Sequence, residues 1–412
     1  MTPVKRLLAF VASLATSFLL LSCGGSQGSP ADYPKDFKVT AGDGSVTASW
    51  TVEPGVQYWI FYGVGPDITT TNWVNRNGRA IPNAVTPAII TGLANGTVYS
   101  FTINGRTNNG PGGSGAPTQA VTPIQAGENW KPDPPLGTKR LSGIAFGTGV
   151  LGYAAAVVGK DGIIFSSVAG GDFAERTNPQ APVDLNGVAY GLYGFVGFGP
   201  NGTIIHSLDG VTWTSRTSNT TSTLFGGTAS SSTYLLTGAN GVLATSSDAT
   251  SWNTQNSGTT NELYASAFGA NQYVAVGAAG TIVYSSDATN WAVGPVATNN
   301  ALRGVSFGLL ASADGLTTTN VFVAVGDNGT VLRSPDGVTW AVVTPFTTAN
   351  LLAVTNGGRF VAVGAGGVIF TSSDGLTWET RNSGTTADLT SVARTVNGYT
   401  AVGDNGVSVS TF

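Results

Sequence analysis

From residue 130 onward, apolar and small residues alternate in short runs, and the runs recur at a near-constant interval. Trp130, Trp213, Trp252, Trp291, Trp340 and Trp378 are each followed eleven residues later by a leucine: Leu141, Leu224, Leu263, Leu302, Leu351 and Leu389. Phe173 and Leu185 repeat the pattern with one residue more, so seven leucines mark seven units, at steps of 44, 39, 39, 39, 49 and 38 residues. Inside a unit the alternation has period two, which predicts half-buried strands. Leu302-Arg303-Gly304-Val305-Ser306-Phe307 reads as a first strand, Phe322-Val323-Ala324-Val325-Gly326 as a second and Asn328-Gly329-Thr330-Val331-Leu332 as a turn and a third. The turns Asp161-Gly162, Asn201-Gly202, Asn240-Gly241, Asn328-Gly329 and Asn405-Gly406 supply the positive φ that a two-residue hairpin demands. A second turn leads to the tryptophan strand.

Four strands per unit and a period near 40 predict an all-β propeller of seven four-stranded blades over residues 124–412. The seventh unit reaches Phe412 after its third strand and lacks a tryptophan, whereas Trp130 stands ahead of the first unit. The segment around Glu128 to Lys131 is therefore expected to supply the outer strand of the last blade and to close the ring. Gly308 to Asn320 is the longest insertion and is expected as a loop on the face opposite the rim that holds the leucines.

Ahead of the repeat, Phe37-Lys38-Val39, Ser45 to Trp50, Tyr58 to Tyr62, Ala88 to Ile90, Val98 to Ile103 and Thr118 to Thr122 are short alternating runs split by Gly, Asn and Pro. So many strands in so short a stretch predict a sandwich over residues 36–123. Trp50, at the end of the second strand, and Leu93-Ala94-Asn95-Gly96-Thr97-Val98-Tyr99 make the segment resemble a fibronectin type III module. The resemblance implies a tyrosine whose ring is buried and whose hydroxyl bonds the preceding loop. Residues 23–35, rich in Gly, Ser and Pro, read as a flexible tether.

Lys5 and Arg6 precede a 15-residue apolar run, Leu7 to Leu21, which is too short for a membrane span and suits a secretory signal over residues 1–22. The run ends in Leu20-Leu21-Ser22-Cys23, which resembles a bacterial lipobox and implies that Cys23 becomes the acylated first residue of the mature chain. Gly24 in place of Asp is similar to the Gram-negative pattern for the outer membrane, so the expected address is the bacterial cell envelope, lipid-anchored. Cys23 is the only cysteine, which excludes an internal disulfide. Without the leader the chain carries 16 basic and 22 acidic groups, a balance that disfavours nucleic acid as a partner.

The second turns, such as Ser207-Leu208-Asp209-Gly210-Val211-Thr212-Trp213 and Ser372-Ser373-Asp374-Gly375-Leu376-Thr377-Trp378, resemble the Asp-box repeats of sialidases, some glycoside hydrolases and propellers similar to the photosystem II assembly factor. Here they are one residue shorter between Asp and Trp, closer to the non-enzymatic propellers. Asp209, Asp248, Asp287, Asp336 and Asp374 are read as structural, each accepting N–H bonds in its own turn. No catalytic residue, metal site or cofactor is expected. The Arg-Ile-Pro motif of sialidases is approached only by Arg79-Ala80-Ile81-Pro82 in the first module, and His206, the sole histidine, shares its column with Ser, Thr, Tyr and Arg. Asp184, Glu262 and Asp388 each precede a leucine and are read as rim charges.

The column after the leucines varies: Ser142, Asn186, Phe225, Tyr264, Arg303, Leu352 and Thr390. Phe225, Tyr264 and Arg303 fall in consecutive units and are the candidate binding rim for a protein or glycan partner. The function expected is that of a non-catalytic surface lipoprotein. The rivals are a carbohydrate-active hydrolase of the Asp-box type and a scaffold for assembly of a membrane complex.

Overall fold

A computed structural model describes residues 28–149, 152–168, 171–311, 317–395 and 398–411. The expected signal peptide and Cys23 lie outside the described residues. The fold is all-β: its helical segments are single 3-10 turns, and no helix of the described residues is long and apolar enough to cross a membrane. The chain divides into a smaller unit, the residues up to Thr40 with Ser45–Thr122, and a larger one, Ala41–Gly44 with Pro123 onward.

In the smaller unit, Lys38–Gly42, Ser45–Ser49 and Ala88–Thr91 form one sheet, and Pro30–Ala31, Gln57–Val64, Arg79–Ile81, Tyr99–Arg106 and Gln119–Val121 form another. Trp50, Tyr58, Ile60, Phe101 and Ile103 fill the space enclosed by them. The Tyr99 hydroxyl accepts the Ala94 N–H at 3.1 Å. The expected tether needs correcting at its end: Pro30 and Ala31 pair with Arg106 and Gly105, and Ser29 bonds Thr107. Proline has no N–H to give to a ladder, and here it sits on an edge strand, where none is missed. Arg79–Ile81, the near match to a sialidase motif, is a strand paired with Ile60 to Tyr62.

The larger unit holds seven four-stranded antiparallel sheets. In the first six the strands follow chain order, as in Leu263–Gly269, Gln272–Gly277, Ile282–Ser285 and Ala292–Val293. The seventh takes Leu389–Arg394, Tyr399–Gly403 and Ser408–Thr411 and adds Trp130–Pro132 as its fourth strand, with Thr411 opposite Trp130 and Val409 opposite Pro132. Asp133 fastens this pairing by accepting from Ser408 Oγ (3.1 Å) and Ser410 Oγ (2.8 Å). The innermost strands adjoin one another in order, and that of the seventh sheet lies against that of the first.

All seven marker leucines are fully buried, at 0 % exposure. Burying such a side chain is worth about 1.5–3 kcal/mol, so the column forms a common inner anchor. The tryptophans wedge between sheets. Trp213 packs with Ala154, Ala156 and Val158 of the first sheet and with Phe195 and Ile205 of the second, and Trp252 joins the second and third in the same manner. Between strands two and three, Asp161 and Gly162 (φ 57° and 71°), Asn240 and Gly241 (57° and 69°) and their counterparts form tight turns with two successive left-handed residues.

Of the insertion expected as a loop at 308–320, residues 308–311 and 318–320 are strand instead, and 312–316 lie outside the described residues. Leu302–Ala311 and Thr318–Gly326 continue their ladder to the pair Ala311 and Thr318, at the end of the sheet remote from Leu302. Thr318 and Thr319 are β-branched and favour extended backbone, so residues added there prolong the strand.

Candidate functional site: the mouth of the central channel

The site is built by a backbone irregularity. In sheets one and three to seven the ladder between first and second strands slips by one residue immediately after the leucine, as where Leu263 faces Gly277 but Ala265 faces Val276. The extra residue of such a bulge is left out of the ladder and its side chain is re-aimed. Those residues are Ser142, Phe225, Tyr264, Arg303, Leu352 and Thr390. In the second sheet Asn186 stands just ahead of the ladder. All seven line one opening of about 340 Å³, together with Arg140, Asp327 and Asn350. The residue after each is small: Gly143, Gly187, Gly226, Ala265, Gly304, Ala353 and Ser391 line the channel beneath. A methyl group added at Gly226 would come within 2.4 Å of the Tyr264 carbonyl oxygen, so the sheets approach too closely there for a side chain.

The three residues expected as the binding rim stand together. The rings of Phe225 and Tyr264 are 5.6 Å apart and tilted by 58°, and the Arg303 guanidinium lies over the Tyr264 ring, 4.6 Å from its centre. Arg303 also reaches Asp327 through Nε and Nη2, both at 2.9 Å, which raises its pKa and keeps it charged. The Tyr264 hydroxyl donates to Glu262 at 2.5 Å, and burial, with that carboxylate beside it, pushes its pKa up. Across the mouth, Arg140 pairs with Asp404 at 2.9 Å.

The mouth's other polar groups tie sheets to one another. Asn186 Nδ2 donates to the Leu224 carbonyl (2.8 Å) and Thr390 Oγ1 to that of Leu141 (2.6 Å), each from one sheet to the next. Asp184, Asn350 and Asp388, the residues before three of the leucines, accept the N–H of Asp161, Asn328 and Gly366 in the preceding sheet's turn, at 2.7, 2.9 and 2.7 Å. Two of the acids read from sequence as solvated rim charges thus carry a defined structural bond. The signal was available: an acid or amide before the leucine, facing a left-handed turn residue one repeat earlier.

The five turn aspartates lie at the other end of the sheets and remain apart, each closing its own hairpin. Asp374 Oδ1 accepts from Leu376 N (2.7 Å), Thr377 N (2.8 Å) and Ser372 Oγ (3.0 Å). Asp209, Asp248, Asp287 and Asp336 repeat the arrangement. The N–H bonds from Ser251 and Thr250 hold the Asp248 carboxyl well below the usual range, and those from Asn290 and Thr289 do so for Asp287. For Asp209, Asp336 and Asp374 burial pushes the other way, and the turn's N–H donors outweigh it.

His206 is buried. Its Nε2 lies 2.7 Å from the Tyr193 carbonyl and must carry the proton, while Nδ1 faces Arg216 Nη2 at 3.4 Å. Burial first, and Arg216 second, lower its pKa. The same cross-strand bond joins Arg176 to Ser166, Gln255 to Thr245 and Arg381 to Thr371, so the imidazole occupies a structural slot. Among the described residues no group of three or more His, Cys, Asp or Glu side chains is placed to hold a metal.

No protein-family model matches the chain, and no curated protein matches it. Solved structures do match in fold. YCF48 bound to D1 peptide aligns with TM-score 0.53 at 14 % identity, over 68 % of this chain and 96 % of that one. YCF48 from Cyanidioschyzon merolae gives 0.53 at 15 %, over 68 % and 98 %. A catalytically inactive virginiamycin B lyase from Staphylococcus aureus, with quinupristin, gives 0.57 at 12 %, over 69 % and 99 %. At these identities the likeness concerns the fold, and the fold it supports is the β-propeller.

Proposed function

We propose that the chain is a non-catalytic binding protein of the bacterial cell envelope, lipid-anchored through Cys23, with a fibronectin type III-like spacer and a propeller that takes a protein partner at its channel mouth. The observation that carries the binding role is the convergence of seven unlike side chains, set by bulges and an equivalent position, on one opening. A scaffold repeats its core and varies where it recognises. That YCF48 is described with a bound D1 peptide supports the use of such a propeller for peptide binding.

The rival is a glycoside hydrolase, which calls for two facing carboxylates. Of the ten residues lining the mouth only Asp327 is acidic, and both its oxygens are engaged by Arg303. Replacing Phe225 with a photoreactive residue should crosslink a discrete envelope protein, and the same replacement of Leu376, at the opposite end of a sheet, should not. Equal labelling from both positions overturns the assignment to the mouth. Turnover of fluorogenic glycosides that disappears in Asp327→Asn would decide for the hydrolase. Incorporation of radiolabelled palmitate, lost in Cys23→Ala, tests the anchor.

A further inference from the structure

Resting on the reading of the mouth as a protein-binding site, we infer that the mouth receives a single apolar anchor side chain on a loop or chain end, flanked by an acidic residue. It is not built for a saccharide or for a flat protein face. Three observations carry this. The opening, about 340 Å³, lies near the lower end of the roughly 300–1,000 Å³ typical of small-ligand clefts. It has room for one large side chain with its adjoining backbone, and a flat surface would bridge it without entering.

Several of the polar groups that a saccharide would use are already committed. Asn186 and Thr390 donate to backbone carbonyls, Asn350 accepts from Asn328, and the Tyr264 hydroxyl is held by Glu262. Sugars also need an open aromatic face. Tyr264 stands between Phe225, tilted by 58°, and the guanidinium of Arg303. The two rings form a notch rather than a platform, suited to a Phe, Trp or Leu side chain, and Leu352 lines the same opening from the far side of Arg303. Such a centre, dry when filled and ringed by polar pairs, is the arrangement of an interface hot spot.

Charge completes the description of the partner. The lining holds Arg140, Arg303 and Asp327, with Asp404 on Arg140 and Glu262 on Tyr264 beside it, so a partner's acid would be held by a specific bond rather than by a net positive field. Arg140 meets Asp404 through Nη1 alone, which leaves donors on that guanidinium for a carboxylate beside the anchor.

The test uses the full chain as bait for a phage-displayed random dodecamer library and, in parallel, an immobilised oligosaccharide array. Enriched peptides should carry an aromatic residue or leucine with Asp or Glu within two positions. A synthetic peptide of that sequence should lose at least about tenfold in affinity for Phe225→Ala and for Leu352→Ala, lose several-fold when its acid becomes Lys, and bind Leu376→Ala unchanged. Unchanged thermal melting of each variant separates loss of contact from loss of fold. Peptides without an apolar anchor, or with binding indifferent to Phe225, overturn the inference. Oligosaccharide binding that is lost in Phe225→Ala overturns it as well but leaves the mouth as the binding site. Failure of both libraries to bind removes the reading of the mouth itself.

Discussion

The two ends of each sheet in the larger unit are built on opposite terms. At the outer hairpins five aspartates accept nearly identical bonds in five turns, with Oδ1 distances to backbone N between 2.7 and 2.9 Å throughout. At the mouth a fully buried leucine, the same in all seven sheets, is followed by a residue that differs in every one. Repetition marks what holds the sheets in shape, and variation one residue away marks what is free to recognise. The bulge separates the two jobs, because it takes the second residue out of the ladder while the first stays locked in the core.

The largest loss of stability is expected at the seventh sheet. Deleting residues 126–132 removes Trp130, which packs with Val361, Val363 and Tyr399. The loss should be at least about 3–5 kcal/mol, the usual cost of a buried aromatic, and should appear as one cooperative downward shift of the whole propeller's melting curve. A melt unchanged by the deletion would show that this strand adds nothing to the assembly. Next, two adjacent substitutions separate the columns. Leu263→Ala should cost about 2–5 kcal/mol in denaturant unfolding, whereas Tyr264→Ala, in the half-exposed notch, should cost under about 1 kcal/mol yet impair ligand binding. Equal costs would contradict the division of labour.

Smaller effects sharpen the other end. Asp374→Ala removes an acceptor of two N–H bonds and should destabilise by about 1–2 kcal/mol, with Asp374→Asn recovering part of it. Because the folded-state pKa of all five aspartates is lowered, their contribution is present above the unfolded value near 3.8 and is lost as pH falls below it. Melting temperatures taken from pH 7 to pH 2 should drop below about pH 4, less steeply in Asp248→Asn. The smallest change concerns Ala249, which like Ala288 holds a left-handed φ (58°) where the other three Asp turns have glycine. The strain of about 1 kcal/mol nearly equals the gain of about 0.8 kcal/mol from its wholly buried methyl. Ala249→Gly should therefore alter stability by under about 0.5 kcal/mol, measurable by denaturant titration.

The strands, turns and sheet count are legible in the chain because each rests on short-range rules: period-two alternation, and glycine or asparagine where φ must be positive. The Phe225, Tyr264 and Arg303 grouping is legible for the same reason, since equivalent positions in consecutive repeats must be neighbours. What the chain conceals is long-range. Arg303 and Asp327 are 24 residues apart, Ser410 and Asp133 277 apart, and no local pattern pairs them. The bulge leaves no composition signature either, because Ser, Phe, Tyr, Arg, Leu and Thr all occupy it. Its nearest trace is the run of Gly, Ala and Ser one position on, which records how closely the sheets approach.

The pairing of Trp130–Pro132 with Ser408–Thr411 has an outcome for synthesis and for load. The first strand of the propeller to leave the ribosome must wait, unpaired, for the last, so the seam is the final piece that can be made and a contact of very large sequence separation. Tension applied from the N-terminal side reaches this three-residue strand before any other part of the ring, and its ladder, with the Asp133 clamp, is where the protein would begin to open under force.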